Sequence, residues 1–320
     1  MRRFTTIALT GFALVVWGCS VGDLVDTEQV TDDDVQFVAQ SSADETNSLA
    51  TDLQDPGSPV VQRYYTGGFF VFSNESNGND YYVVLDTLSD TIRLTCVSHS
   101  NSGRMDGDHD MVYDHDTITF QCQNQNMIVS RMGRLYGVEF TLMGQVIHED
   151  SNDNDRGTLM VRWKGLDSDL FIKRVRITDL VDGHTVKDID HSTGGMIEFS
   201  RTDSGIHFAK EKTIRDSSGR SLQIDIDGIV YTDVWEPGDE ISADMELSFQ
   251  GEGSATTASG REIRIEMTTS PTITVGVCDG SDNVGMKSGT LTEELYVGDV
   301  KVRTITIEFN SDCSYSISNQ

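Results

Sequence analysis

The sequence predicts an all-β protein: a long antiparallel meander forming a large twisted sheet, a two-layer sandwich or a partly closed, barrel-like sheet. Three observations carry this. Apolar and polar residues alternate with period two in one segment after another beyond residue 60. The connectors between segments are too short for a βαβ crossover. No convincing helical pattern of about twelve residues follows residue 60. The clearest segment is "ISADMELSFQ", where Ile241, Ala243, Met245, Leu247 and Phe249 point one way and Ser242, Asp244, Glu246, Ser248 and Gln250 the other. A helix would mix the two sets around its surface.

The same pattern recurs along the chain. Ile92, Leu94 and Cys96 share a side in "TIRLTC", as do Ile118, Phe120 and Cys122 in "TITFQC". Leu159, Val161 and Trp163 alternate with Met160, Arg162 and Lys164. Leu222, Ile224 and Ile226 face away from Gln223, Asp225 and Asp227; Ile263, Ile265 and Met267 oppose Glu262, Arg264 and Glu266. The last long strand unites Ile305, Ile307 and Phe309, and Val302 is out of phase with them, which predicts a β-bulge near Arg303 or Thr304. "VDGHT", "DSSGR", "TASGR" and "YVGDV" read as hairpin turns. About fourteen or more strands follow, and a sheet that long must curl, fold over or close. The β-rich domain spans 59–320, with two packed halves and a boundary near 190–205 as one arrangement. A transmembrane barrel needs an outward band free of charge, and "RIEM" and "IDID" do not supply one.

The N-terminus sets the compartment. Arg2 and Arg3 precede an uncharged run from Phe4 to Trp17, long enough for an export signal and too short for a membrane-spanning helix. Val16, Trp17, Gly18 and Cys19 then resemble the lipobox of bacterial lipoproteins. The resemblance implies a signal peptide over 1–18, acylation of Cys19 with palmitate among the chains, and anchoring to the membrane through this N-terminal lipid. Ser20 stands where an inner-membrane retention aspartate would sit, so the resemblance points to the outer membrane of a diderm bacterium. Residues 19–58 are acidic and polar with scattered single hydrophobes and read as a flexible tether; a short helix around Val35 to Ala39 would have little to pack against.

Charge excludes some partners. With 24 Lys+Arg against 52 Asp+Glu the net charge is −28, and loss of Arg2 and Arg3 with the signal takes it to −30. Such a field repels phosphate backbones and anionic headgroups, so no nucleic acid is expected as a partner and attachment falls to the lipid. With Cys19 set aside, four cysteines remain, and three pairings are open to them. Cys96–Cys122 and Cys278–Cys313 are preferred, because each pair is near in sequence and lies on neighbouring strand candidates.

From Gly251 onward, Ser259-Gly260-Arg261, Pro271, Cys278, Ser288-Gly289-Thr290 and Cys313 resemble the C-terminal part of a group of uncharacterised β-rich lipoproteins of Bacteroidota. "DRGTLMVRWKG", with Gly157 and Gly165, is similar to a central element of that group. The resemblance implies extracytoplasmic β structure and a lipid anchor, and lends no catalytic residue.

Candidate sites are few. Asp106, Asp108 and Asp110 alternate and Asp114 and Asp116 follow, with His109 and His115 among them. Oxygen ligands two apart suit a hard cation such as Ca2+. Met111 and Thr117 break the EF-hand template, and the plain reading is a solvated acidic loop. Asn152–Asp155 and Asp279, Ser281 and Asp282 are similar loops. Tyr64, Tyr65 and Trp235 offer rings for stacking on sugars, against the alternative that they fill the core. Glu236 beside Trp235 is the one carboxylate to name for glycan hydrolysis, although it also reads as a turn residue. No GxSxG elbow is present, and Ser204 with His207 reads as an incidental hairpin pair. The expectation is a lipid-anchored extracytoplasmic structural or adhesion-like binding protein with no catalytic activity or cofactor other than a bound Ca2+, contacting a surface glycan or protein. The alternative is a carbohydrate-binding protein or glycan hydrolase at the cell surface.

Overall fold

The computed structural model describes residues 30–54, 71–74, 81–84, 91–100, 115–131, 133–150, 158–237, 241–280 and 284–319. The protein is all-β in its sheet architecture, with one helix among the described residues. Strands β1 (Val71–Asn74), β2 (Tyr81–Val84) and β3 (Thr91–Leu94) form a small antiparallel sheet. A larger antiparallel sheet of thirteen strands holds the rest. Its members in chain order are β4 (Val97–Ser100), β5 (His115–Arg131), β6 (Arg134–Asp150), β7 (Leu159–Lys164), β8 (Phe171–Asp179), β9 (Thr185–Thr202), β10 (Gly205–Asp216), β11 (Ser221–Tyr231), β12 (Met245–Thr256), β13 (Glu262–Val277), β14 (Val284–Val297), β15 (Val300–Phe309) and β16 (Tyr315–Asn319). Nearly every strand pairs with its sequence neighbour, as short connectors dictate.

The exception is a shared lane. Strands β7 and β8 lie end to end between β6 and β9. The chain leaves the sheet briefly between Lys164 and Phe171 and returns in the same direction. A Cβ on Gly144 would stand 2.4 Å from the Phe171 ring and 2.5 Å from the Lys164 carbonyl, so only glycine lets the lane be interrupted there. Around 190–205 the ladder is continuous: β9 and β10 pair from Thr202↔Gly205 to His191↔Asp216. A boundary between two halves does not fall within the sheet there.

The alternation read from sequence is the burial pattern. Ile118, Phe120, Cys122, Leu159, Val161, Trp163, Leu222, Ile224, Ile226, Ile263, Ile265, Met267, Ile305, Ile307 and Phe309 are all buried. In "ISADMELSFQ" the strand begins only at Met245, and Ala243 is exposed ahead of it. The bulge in β15 skips Val302, since Leu295 pairs with Arg303 and Tyr296 with Lys301. Pro271 sits where the β13–β14 register breaks, a position that spares the ladder a missing N–H.

The tether reading is corrected over part of its length. Residues Asp32–Gln54 form a 23-residue helix, α1, packed against the sheet. The scattered hydrophobes are a helical stripe: Val35, Val38, Ala39, Ala43, Leu49, Ala50 and Leu53 are buried, with Ser42 and Thr46 between them. Small residues at half the stripe made it faint in the sequence. The start is a capping box, in which Asp34 N–H donates to Thr31 Oγ1 (3.2 Å) and Thr31 N–H to Asp34 Oδ2 (3.2 Å). Asp32, Asp33 and Asp34 in the first turn complement the helix dipole. The helix reaches β16 through Tyr315 Oη donating to Asp44 (2.7 Å), β14 through Met286 N–H donating to Asn47 (3.1 Å), and β10 through Lys210. Strands β10 and β16 are six places apart in the sheet, so the C-terminal half curls around the helix.

Both disulfides join the pairs expected, Cys96–Cys122 and Cys278–Cys313, with Cα–Cα distances of 5.0 and 5.4 Å. Cys313 has φ of +60°. It occupies the place that Gly219 and Gly260 take in the hairpins after β10 and β12, each closed by the same pair of backbone hydrogen bonds.

Candidate functional site

Many of the residues singled out in the sequence lie outside the described residues: Cys19, Tyr64, Tyr65, Asp106, Asp108, Asp110, Asp114 and Asn152–Asp155. Asp116 is on β5, paired across the ladder with His148. Asp279 is near Lys287 (3.9 Å). Trp235 is 7% exposed within the core cluster, so its ring is packing and not a sugar platform. Glu236 is held by Arg201 at 2.7 Å. His207 meets Ser200 and Asp227 instead of Ser204: Nδ1 lies 3.4 Å from Ser200 Oγ and Nε2 lies 2.9 Å from Asp227. The three stand on β9, β10 and β11 across an open sheet face, Asp227 being 64% exposed. The long serine contact and the exposure mark it as a cross-strand polar ladder, not an activated nucleophile, which needs a close base and convergent oxyanion donors.

A group with hard-cation chemistry does form, away from the loop expected. Asp179 at the end of β8, with Asp182 and His184 in the turn before β9, brings three ligand atoms within 4.8 Å of one another. Two carboxylates and an imidazole are compatible with a divalent ion. The same acids already serve Arg134 on β6, which lies 2.7 Å from Asp179 and 3.2 Å from Asp182. Burial pushes the Asp179 acid up, but the N–H groups of Val181 and Asp182 and the Arg134 guanidinium outweigh it and hold the carboxyl below its usual range. The arrangement ties two hairpin tips together.

The site with the most recognition chemistry is a groove of about 330 Å³ on β5, β6, β8 and β9. It is built from ladder register. One rung runs Asn126, Glu139, Arg176, Asp188, each opposite the next. The second runs Thr141, Arg174, Asp190, with Asn124 at its head. Asn124 is the extra residue of a β-bulge, with φ of +46°; its N–H donates to Thr141 Oγ1 (3.1 Å). Bulges bend the strand that carries them, which shapes the groove wall. Arg174 donates to Asp190 (2.8 Å), and Arg176 donates through two nitrogens to Asp188 (3.1 and 2.9 Å). Hydrogen bonding to Asp188 and its charge raise the Arg176 pKa above its ordinary value. Phe140 and Val175 complete the lining and are themselves buried. These ten residues escaped the sequence reading, although a signal exists: "RVR" and "DID" flank one hairpin turn at a spacing that sets Arg176 against Asp188 and Arg174 against Asp190.

A second concentration of charge lies beneath α1. Lys210 is fully buried; its Nζ donates to Asp52 (3.1 Å), Ser48 (3.0 Å) and the Glu45 carbonyl (3.1 Å) and lies 3.3 Å from the Glu45 carboxylate. Burial alone would lower its pKa, but Asp52 and Glu45 together raise it. For Lys212, 4.1 Å from the Trp163 ring centroid, burial wins and the pKa falls. Glu293 on β14 is enclosed opposite α1, and burial pushes its acid up to about 8 against a weaker opposing pull from Ser42. Neither its carboxyl oxygens nor the Ser42 hydroxyl closes a well-formed hydrogen bond among the described residues.

Comparison of the chain with protein-family models, with curated proteins and with solved structures finds no match in any of the three.

Proposed function

We propose that this chain is a lipid-anchored, extracytoplasmic structural or adhesion-like binding protein of the outer membrane, without catalytic activity, that makes contact through the groove on β5, β6, β8 and β9. The observation that carries the reading is the groove itself. Eight polar side chains from four hydrogen-bonded strands converge there on a backbone that cannot easily shift, and preorganised side chains cost little to order on binding. Anchoring through Cys19 is supported by the lipobox-like "VWGC". No described helix is long and apolar enough to cross a membrane.

Glycan hydrolysis gathers less support. It asks for two facing carboxyl groups, one with a raised pKa. Among the described residues the carboxyl group pushed up most is Glu293, which is sealed under α1, and Glu236 is engaged by Arg201. The test is made on cells expressing the full chain. The wild-type protein should sediment with outer membranes and promote adhesion to surface material. Cys19→Ser should release it to the soluble fraction. Unchanged sedimentation of Cys19→Ser, or adhesion indifferent to the protein, rejects the reading.

A further inference from the structure

We infer that the groove on β5, β6, β8 and β9 takes an uncharged, hydroxyl-rich ligand, a neutral oligosaccharide. This rests on the reading of the groove as the contact surface. The argument is one of hydrogen-bond capacity. A sugar hydroxyl donates one bond and accepts others, so it is best held between an acceptor and a donor placed side by side. Each rung alternates them. Glu139, an exposed carboxylate that accepts no hydrogen bond among the described residues, stands between the Asn126 amide and the Arg176 guanidinium. Thr141 and the Asn124 amide stand beside Arg174, whose bond to Asp190 uses Nε and leaves its terminal nitrogens to donate.

Other ligand classes fit less well. The two arginines are each neutralised by an aspartate at 2.8–2.9 Å, and with Glu139 the groove has one more negative than positive group. An anionic sugar, a phosphate or a nucleic acid would meet that charge and the chain's −28. A cationic ligand would find Glu139 alone open to it, because Asp188 and Asp190 are each held by an arginine. An apolar ligand finds little to cover, because the two apolar residues that line the groove, Phe140 and Val175, are 3% and 5% exposed. Neighbouring strands are about 4.8 Å apart, so the four-strand rung extends about 14 Å, enough for a short oligosaccharide lying across the strands.

The test is an array of neutral and anionic oligosaccharides probed with the detergent-solubilised full chain. The comparison proteins are Glu139→Ala, Arg174→Ala and a control, Lys301→Ala on β15. Neutral oligosaccharides should bind, and each groove variant should weaken binding by about tenfold or more, since a bond to a charged group is lost, while the control leaves it unchanged. Glu139 and Arg174 are exposed, so the variants should fold, and a melting curve matching that of the control certifies this. Retention of anionic sugars alone overturns the ligand class while the adhesion result stands untouched. Binding of no sugar, or binding equal in wild type and groove variants, overturns it as well. Cell adhesion separates the two readings. Adhesion lost in Glu139→Ala without any sugar bound means a contact groove for another ligand; no adhesion at all removes the underlying reading.

Discussion

The lobe of β5, β6, β8 and β9 and the curl of β10–β16 around α1 use the same charged residue types to opposite effect. In the lobe, Arg174–Asp190 and Arg176–Asp188 lie across an open face with side chains 42–62% exposed. Water and salt screen such pairs, and they add little to stability. In the curl, Lys210, Glu45 and Glu293 are removed from water. There a charge must be matched or neutralised, because desolvating an unmatched ion costs several kcal/mol. The lobe thus leaves its ionic groups exposed to solvent, whereas the curl commits its own to holding one helix in one place.

Removing one partner from the curl should have the largest effect. Lys210→Met should lower stability by about 3–5 kcal/mol in chemical denaturation, because it removes the cation between Asp52 and Glu45 and leaves Glu45 to Lys212, at 3.9 Å. Adding Glu45→Gln and Asp52→Asn should recover most of that loss. A loss below about 1 kcal/mol would mean that the buried network is no tighter than the exposed rungs.

Glu293 should act in the other direction. Its folded-state pKa of about 8 stands above the ordinary 4.5, so the folded protein binds the proton more tightly than the unfolded chain. Its contribution is fully present below about pH 4.5 and is lost as pH rises towards about 8. Glu293→Gln removes that dependence. The variant should match wild type near pH 4.5 and exceed it by roughly 3 kcal/mol at pH 7, read from denaturation midpoints. Equal stabilities at both pH values would show that Glu293 does not stay protonated under the helix.

Next come the disulfide and its turn. Replacing Cys278 and Cys313 by serine should cost about 2–4 kcal/mol, given the 35-residue separation. The pair Cys278→Ser with Cys313→Gly should cost about 1 kcal/mol less, because only glycine is at ease at φ of +60°. Indifference to the choice at 313 would place the strain elsewhere. The smallest effect belongs to the lobe: Arg176→Ala should leave the melting temperature unchanged and alter contact alone. A marked drop would erase the distinction between the two regions.

How much of this was legible follows from which patterns are local. Period-two alternation places a side chain by counting, so the faces of Ile118, Phe120 and Cys122 or of Leu222, Ile224 and Ile226 could be read directly, while the disulfide partners were preferred among three pairings for their nearness on neighbouring strands. The bulge at Val302 showed as a phase error. The helix did not show, because Ala39, Ser42, Ala43, Thr46 and Ala50 are small enough to look like linker composition; the capping residues Thr31 and Asp34 were the available signal. The groove depends on register between strands that are not adjacent in sequence. Within each hairpin the partners follow by counting from the turn, Asn126 against Glu139 and Arg176 against Asp188; the β6–β8 pairing that joins the hairpins, and Asn124 in the bulge on β5, do not.

The place of α1 also sets a leash length. Between Cys19 and Asp32 there are twelve residues, which stretch to about 40 Å at most. A lipid on Cys19 would therefore moor the molecule close against its bilayer, through a helix that is bolted to the sheet. Such a molecule would keep α1 within about 40 Å of the membrane surface, with the sheet packed on that helix held nearby.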